Sequence, residues 1–303
     1  MTLTVQPYSG ERDFDAMRSI LVAGRAHARH SGYIHIGDLN WWLYYILPRQ
    51  YDLREIAYVW RAGSEVVGWT LFTPDEGLFD LFVHPDERHS ERREHMLAWT
   101  EERIVEIARR EGLSEVRAEV FEDDQAWSGL LQAHGFSPDE SRPSLYTVRS
   151  LEHIPDPVLP DGFTLRSMGG EEDIEQRASV HFAAFSPRSK MTADKYRAFR
   201  RAPDYHADLD VITVAPDGRI ASFAMAWVDT ENEIGLFEPV GTHPDFQRRG
   251  LARATLFEAL HRMKAAGAHE ALVCPYASDD ARHLYFSVGF EQRNRFIGYR
   301  KPS

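Results

Sequence analysis

The sequence predicts an α/β (α+β) chain of two tandem domains, residues 1–150 and 151–303, each a mixed, mostly antiparallel sheet flanked by helices. Three observations lead there. The 303 residues are about twice an ordinary domain length, and 43% hydrophobic and 12% aromatic content suits a packed interior. Midway, Leu151–Gly162 carries Pro155, Pro157 and Pro160, which forbid helix and disfavour an inner strand. On either side the same element order recurs. His84-Pro85 returns as His243-Pro244, 159 positions later, and Gly135-Phe136 as Gly289-Phe290, 154 positions later. A near-constant offset with a small indel is what a tandem repeat produces.

The elements follow in parallel. Leu3–Tyr8 and Phe163–Met168 read as first strands. A helix follows each, near Phe14–Ala26 and from Glu171 to Phe182. Two short strands surround Gly63 in the first half and Asp217-Gly218 in the second. A further strand runs into each His-Pro pair, and a helix then extends to Arg110 or to Ala266. Glycine stops end both helices, at Gly112 and Gly267. The strands Val116–Phe121 and Glu270–Cys274 come next, and each half closes with a short helix and its Gly-Phe pair.

Composition excludes several classes. A formal charge of −12 argues against a nucleic-acid or anionic-membrane surface, and is compatible with a cationic substrate. The one cysteine, Cys274, permits no intrachain disulfide. No apolar run approaches a membrane span, and the first residues carry no signal-peptide pattern, so a cytoplasmic protein is expected. His27, His30 and His35 stand among arginines without a nearby cysteine, and no metal site is read there.

The richest segment is Val240-Gly241-Thr242-His243-Pro244-Asp245-Phe246-Gln247-Arg248-Arg249-Gly250-Leu251-Ala252-Arg253. An apolar strand ends, a basic glycine-containing turn follows, and a helix begins. The first amides of a helix lack internal acceptors and carry the positive end of its dipole, so a phosphate fits there. Gly250 removes an obstructing side chain, and Arg248, Arg249 and Arg253 add charge. Gln247-x-x-Gly250-x-Ala252 resembles the Q/R-x-x-G-x-G/A motif of the GNAT N-acetyltransferases, and the element order of both halves is similar to that fold.

The resemblance implies acetyl-CoA as co-substrate, a small-molecule amine as acceptor, and a direct attack within a ternary complex. It implies that the loop Gln247–Arg253 seats the pyrophosphate, and that Val240, Gly241 and Thr242 offer strand backbone to the pantetheine arm. Tyr285, four residues before Gly289-Phe290, has the spacing of the thiolate's acid. Ser278 stands where the family often has a coenzyme-bonding Asn. Glu238 is the candidate base. Two residues before Val240, it is expected on the same strand face. Cys274 reads as a buried bystander. A non-catalytic acyl-CoA-binding module is the alternative, but it would not need Tyr285 with Glu238. No nucleic-acid or membrane partner is expected, and a homodimer is compatible with this reading.

The first half departs from the motif. Aligned on His-Pro-Asp, Arg88 stands opposite Gln247, Glu91 opposite Gly250 and Arg93 opposite Ala252, and no glycine lies between Gly77 and Gly112. A carboxylate at Glu91 would repel a diphosphate, and Leu131 replaces Tyr285. The first repeat is therefore expected to be degenerate and non-catalytic. Its aromatic cluster (Tyr33, Trp41, Trp42, Tyr44, Tyr45, Tyr51, Tyr58 and Trp60) reads as an interface between repeats or a stacking wall for an acceptor. In the second repeat, residues 182–205 read as a flexible basic lid.

Overall fold

The computed structural model describes residues 2–48, 50–277 and 281–303, with backbone alone at Arg142. The first repeat comprises β1 (Leu3–Pro7), α1 (Glu11–His27), α2 (Ile36–Trp41), α3 (Leu53–Ile56), β2 (Ala57–Ala62), β3 (Glu65–Thr73), β4 (Leu78–Val83), α4 (Glu91–Glu111), β5 (Glu115–Phe121), α5 (Gln125–Ala133) and β6 (Ser137–Ser150). The second comprises β7 (Thr164–Ser167), α6 (Ile174–Ala184), α7 (Ala193–Phe199), β8 (Asp210–Val214), β9 (Ile220–Asp229), β10 (Ile234–Thr242), α8 (Leu251–Ala265), β11 (Glu270–Val273), α9 (Ala281–Ser287) and β12 (Glu291–Pro302). The expected α/β architecture is present, with helices flanking a mostly antiparallel sheet.

That sheet is continuous. Its order among the described residues is β1-β2-β3-β4-β5-β12-β6-β11-β10-β9-β8-β7. Only β4–β5 and β10–β11 pair in parallel. Each of these pairs is joined by a long helix, α4 or α8, because parallel strands need a crossover. The last strand of each repeat is exchanged. β6 pairs with β11 from Glu270↔Ser150 to Val273↔Thr147, and β12 pairs with β5 from Phe296↔Phe121 to Pro302↔Glu115. The two exchanged strands also pair with each other.

Both parallel pairs are short. Leu78 and Phe79 pair with Arg117 and Ala118, and Ile234–Leu236 pair with Glu270–Leu272. Beyond these positions each pair has no further register. In β4, Phe79, Leu81 and Val83 are buried while Leu78, Asp80 and Phe82 alternate with them on the other face. In β10 the alternation is interrupted: the register with β9 slips between Phe237 and Val240. Pro239 sits in that slip and has no N–H to give a ladder.

Both His-Pro turns are built alike. His84 Nδ1 accepts from the Asp86 amide and His243 Nδ1 from the Asp245 amide, so these histidines are turn caps. The linker after β6 runs along α8, where Lys264 Nζ donates to Glu152 O and the Leu151 amide to His269 O.

The segment expected to be a flexible lid is packed instead. Tyr196 and Phe199 are fully buried, Met191 nearly so. The Tyr196 hydroxyl donates to Asp210, which Arg177 Nε bonds at 3.1 Å, and the Phe199 ring meets Trp41 edge-on at 5.1 Å. The buried ion pair and the aromatic contact override the basic surface character that suggested mobility.

The exchange makes a prediction. Residues 151–303 alone lack β6, leaving an edge of β11 bare and β12 with no neighbour on either side, an aggregation-prone arrangement. Expressed alone, this half should be insoluble or unfolded by circular dichroism, and co-expression with residues 1–150 should restore a soluble complex. A monomeric, cooperatively melting 151–303 fragment would show that the exchanged strands are dispensable.

Candidate active site

The basic turn is shaped by its backbone. Gly250 has φ 78°, a left-handed conformation that favours glycine, and Arg248 before it has φ 59°. A β-carbon added at Gly250 would meet no protein atom within 4 Å, so the space above it is open. Gly250 is the N-cap of α8, and the first helical bond runs from the Ala254 amide to Gly250 O. The amides of Leu251, Ala252 and Arg253 precede that bond and have no helical acceptor. Gln247, Arg248, Arg249, Gly250 and Arg253 are exposed, Ala252 is half-buried and Leu251 is buried. Gln247 Nε2 reaches Thr242 O at 3.4 Å, tying the turn to the strand. Gly241 has a packing role: a β-carbon there would lie 2.6 Å from Phe223. Ser278 lies outside the described residues.

The equivalent turn of the first repeat is filled by protein. Arg88 Nη2 donates to Asp124 Oδ2 at 2.7 Å, and its guanidinium lies 5.4 Å from the Tyr33 ring centre. Arg93 is buried over Trp127 and donates to Arg88 O at 2.9 Å. Glu91, the residue expected to obstruct, is exposed at the first turn of α4. Leu131 is wholly buried.

Tyr285 is 8% exposed, on the face of the sheet covered by α8, where Val240 packs in the same cluster. Phe237 belongs to that cluster too. Glu238 does not: its side chain reaches a cavity on the opposite face. The expectation that Glu238 and Val240 share a face is therefore corrected, and the bulge at Pro239 is the reason. Glu238 and Tyr285 stand on opposite sides of the sheet, with the parted strands β10 and β11 between them.

The cavity has a volume of about 400 Å³, within the range of small-molecule sites. It joins the two partings. Asp80 of β4 and Glu119 of β5 reach it from the first repeat, Glu238 of β10 and Cys274 beyond β11 from the second, and Asp38 of α2 lines it as well. Burial pushes the Glu238 carboxyl up to about 8, with a smaller contribution from the Asp38 charge. Burial likewise pushes Asp80 up to about 8, aided by Glu119, Asp38 and Glu76. Asp38 rises to about 6 through burial, held back by the His35 amide and Arg25. Burial first, then the nearby carboxylates, drives the Cys274 thiol well above its ordinary range, so it stays protonated and inert as a nucleophile.

Asp38, Asp80 and Glu119 were not anticipated. The signal for Asp80 lies in the repeat. Leu78-Phe79-Asp80 matches Leu236-Phe237-Glu238, and the extra Pro239 then restores the His-Pro offset. The aromatic cluster divides. Tyr33, Trp41 and Trp42 line the cavity, and Trp41 and Tyr45 pack on His181 and Phe199 of the second repeat. Tyr58 and Trp60 meet Trp99 in the first repeat's core. His35 caps α2 and hydrogen-bonds Ile234 O.

Residues 175–290 match the model of the acetyltransferase (GNAT) family. The chain carries a GNAT acetyltransferase domain. Mycothiol acetyltransferase of Paenarthrobacter aurescens is 25% identical over 257 residues, spanning 82% of this chain and 74% of that protein. A tandem GNAT protein from the clavulanic acid biosynthesis pathway superposes with a TM-score of 0.68 at 15% identity, over 99% of this chain and 98% of that one. A GCN5-related N-acetyltransferase from Sphaerobacter thermophilus gives 0.65 at 19% identity, over 99% and 95%. The GNAT match over residues 175–290 and the mycothiol acetyltransferase relatives together support an acetyl-CoA-dependent acetyltransferase. Among the described residues no helix is long and apolar enough to cross a membrane.

The raised carboxyls carry a stability consequence. Between about 4 and 8 they are protonated in the fold and ionised in the unfolded chain, so their contribution is full at low pH and is lost as pH rises through about 8. The melting temperature of Asp80→Asn minus that of the wild type should therefore grow, by roughly 3 °C or more, from pH 5 to pH 9. Scanning calorimetry of the ligand-free protein reads it, and a pH-independent difference would mean that Asp80 is not held protonated.

Proposed function

We propose that this chain acetylates a primary amine of a small molecule by direct attack in a ternary complex, with residues 151–303 catalytic and residues 1–150 a non-catalytic partner that walls the acceptor cavity. The observation that carries this reading is the parting of β10 from β11 beyond Leu236, with Glu238 on the cavity side and Tyr285 on the α8 side. Two reactants arriving from opposite faces can meet there. Relatives bearing the name mycothiol acetyltransferase support a small-molecule acceptor, without fixing which one.

In this reading, acetyl-CoA lies on the α8 side. Its pyrophosphate is received by the turn Gln247–Arg253 and the open amides of Leu251, Ala252 and Arg253. Its thioester enters the gap beside the strand at Val240–Thr242. The acceptor ammonium sits in the cavity and loses its proton to Glu238 through one water. The neutral nitrogen attacks the thioester carbonyl, and the C–S bond breaks as the C–N bond forms. The departing thiolate takes the proton of Tyr285, and the second proton shed by the acylated nitrogen returns through water to the tyrosinate, leaving an N-acetyl amide and free CoA thiol. A base held at about 8 takes up the amine's proton more readily than an ordinary carboxylate near 4.

Two variants test the assignment by thiol release against an amine panel. Glu238→Gln should lower kcat by about 10²-fold or more and remove the rise of rate with pH near 8, since the base works only when ionised. Tyr285→Phe should lower kcat roughly tenfold or more while calorimetry finds acetyl-CoA still bound. Unchanged turnover in either variant removes that residue's role.

Gly250→Ala places a β-carbon in the left-handed region at about 1–2 kcal/mol. It should weaken acetyl-CoA binding by the full chain at least about fivefold. Undiminished affinity would mean that the coenzyme does not use this turn.

A further inference from the structure

The cavity is strongly and unevenly charged. Asp38, Glu76, Asp80, Glu119, Asp124 and Glu238 line it, against the guanidiniums of Arg88 and Arg93. Arg88 is committed to Asp124 at 2.7 Å, and Arg93 is stacked on Trp127 and bonded to the Arg88 carbonyl. Neither arginine is paired with Asp80 or Glu238, and these two carboxyls make no ion pair among the described residues. Half-buried and with no cation beside them, both are held protonated, and a cation brought to them can take the proton's place.

The acids are also arranged in two places. Asp80 and Glu238 are equivalent positions of the two repeats, each just past the point where its parallel pair opens. Glu119 accompanies Asp80 from the neighbouring strand. In the sheet, β5, β12, β6 and β11 stand between β4, which carries Asp80, and β10, which carries Glu238, while both residues and Asp38 line the same cavity. Trp41, Trp42, Phe82, Phe121 and Phe296 line that cavity as well. Aromatic faces accept both an apolar spacer and a flanking cation.

Building on the proposed function, we propose that the acceptor is a dication: two basic nitrogens joined by an apolar spacer, one presented to the thioester at Glu238 and the other anchored by Asp80 and Glu119 of the first repeat. Asp80 is then a specificity residue. It touches the acceptor's distal nitrogen and takes no part in the bond exchange. The first repeat supplies this second charge site in the place where an active repeat would keep its own base.

The test uses the full chain with putrescine, cadaverine and hexamethylenediamine against n-butylamine, n-pentylamine and n-hexylamine. At matched length, kcat/KM for the diamine should exceed that for the monoamine by about tenfold or more, the equivalent of about 1.4 kcal/mol. In Asp80→Asn the ratio should fall toward one, carried by KM for the diamine, and Asp80→Glu should restore most of it. If Asp80→Asn fails to bind acetyl-CoA, Glu119→Gln takes its place, with the same expectation.

A second readout needs no turnover. Calorimetry of hexamethylenediamine binding in buffers of different ionisation enthalpy should show proton release, reduced in the Asp80 variant. Equal turnover of diamines and monoamines, or a proportional loss of both in Asp80→Asn, overturns the dication. If the wild type acetylates none of these amines, the transferase reading of the cavity fails. The calorimetry then decides alone: selective diamine binding with proton release keeps the dication site, and no selectivity removes it.

Discussion

The catalytic half depends on a parallel pairing that stops early. β10 and β11 share register only at Ile234–Leu236 and Glu270–Leu272. A parallel pair cannot be closed by a hairpin, so α8 must carry the chain from the end of β10 back to the start of β11. This places the N-terminus of α8, with its open amides, at the edge where the two strands have separated. In the proposed reading, phosphate recognition and the gap for the reacting group thus follow from one topological requirement. A strand bulge at Pro239 then turns Glu238 away from the face that holds Val240 and Tyr285. The gap acquires a carboxylate on one side and a phenol on the other, without any loop having to position either.

Strand exchange extends the same constraint to the whole chain. Because β12 lies between β5 and β6, and β6 against β11, neither repeat completes its own sheet. The two partings are held on a common sheet, and the space beside them merges into one cavity lined from both repeats. Aromatic residues line it, and partial burial among them is why Asp80 and Glu238 hold their protons above the usual carboxylate range. A cation entering such a site meets charges that water does not screen and displaces the protons that occupied them.

What could be read from the sequence was chiefly local. The turn Gln247–Arg253 was legible because its chemistry is contiguous: a glycine in a left-handed backbone, basic residues, and a helix start. The duplicate element order was legible because two dipeptide markers keep their spacing. The acceptor cavity was not, because it is a product of strand exchange, which leaves no periodicity in either strand. Glu238 was found from its strand position and then misplaced by one face, since an inserted residue reverses the alternation and proline gives only a weak hint of it. Asp80 was hidden by the same insertion: a gapless comparison sets it against Pro239 instead of Glu238. The segment 182–205 misled because its charges are exposed at the surface while Tyr196 and Phe199 beneath them fix it to α2 and β9.

In the proposed reading the first repeat has lost one function and kept another. In its turn Arg88 is committed to Asp124, and Arg93 to the Arg88 carbonyl and the Trp127 ring. Its thiolate acid is Leu131, wholly buried. Both changes lie on the side of the sheet or at the helix start where a coenzyme would bind. On the cavity side the counterpart of the catalytic carboxylate persists as Asp80, with Glu119 beside it. Loss of the donor site therefore left the acceptor side intact. A repeat that no longer receives a coenzyme is free to direct its carboxylates at the far end of its partner's acceptor. Arg88 lines the cavity too, but its charge is committed to Asp124 and not to Asp80 or Glu119.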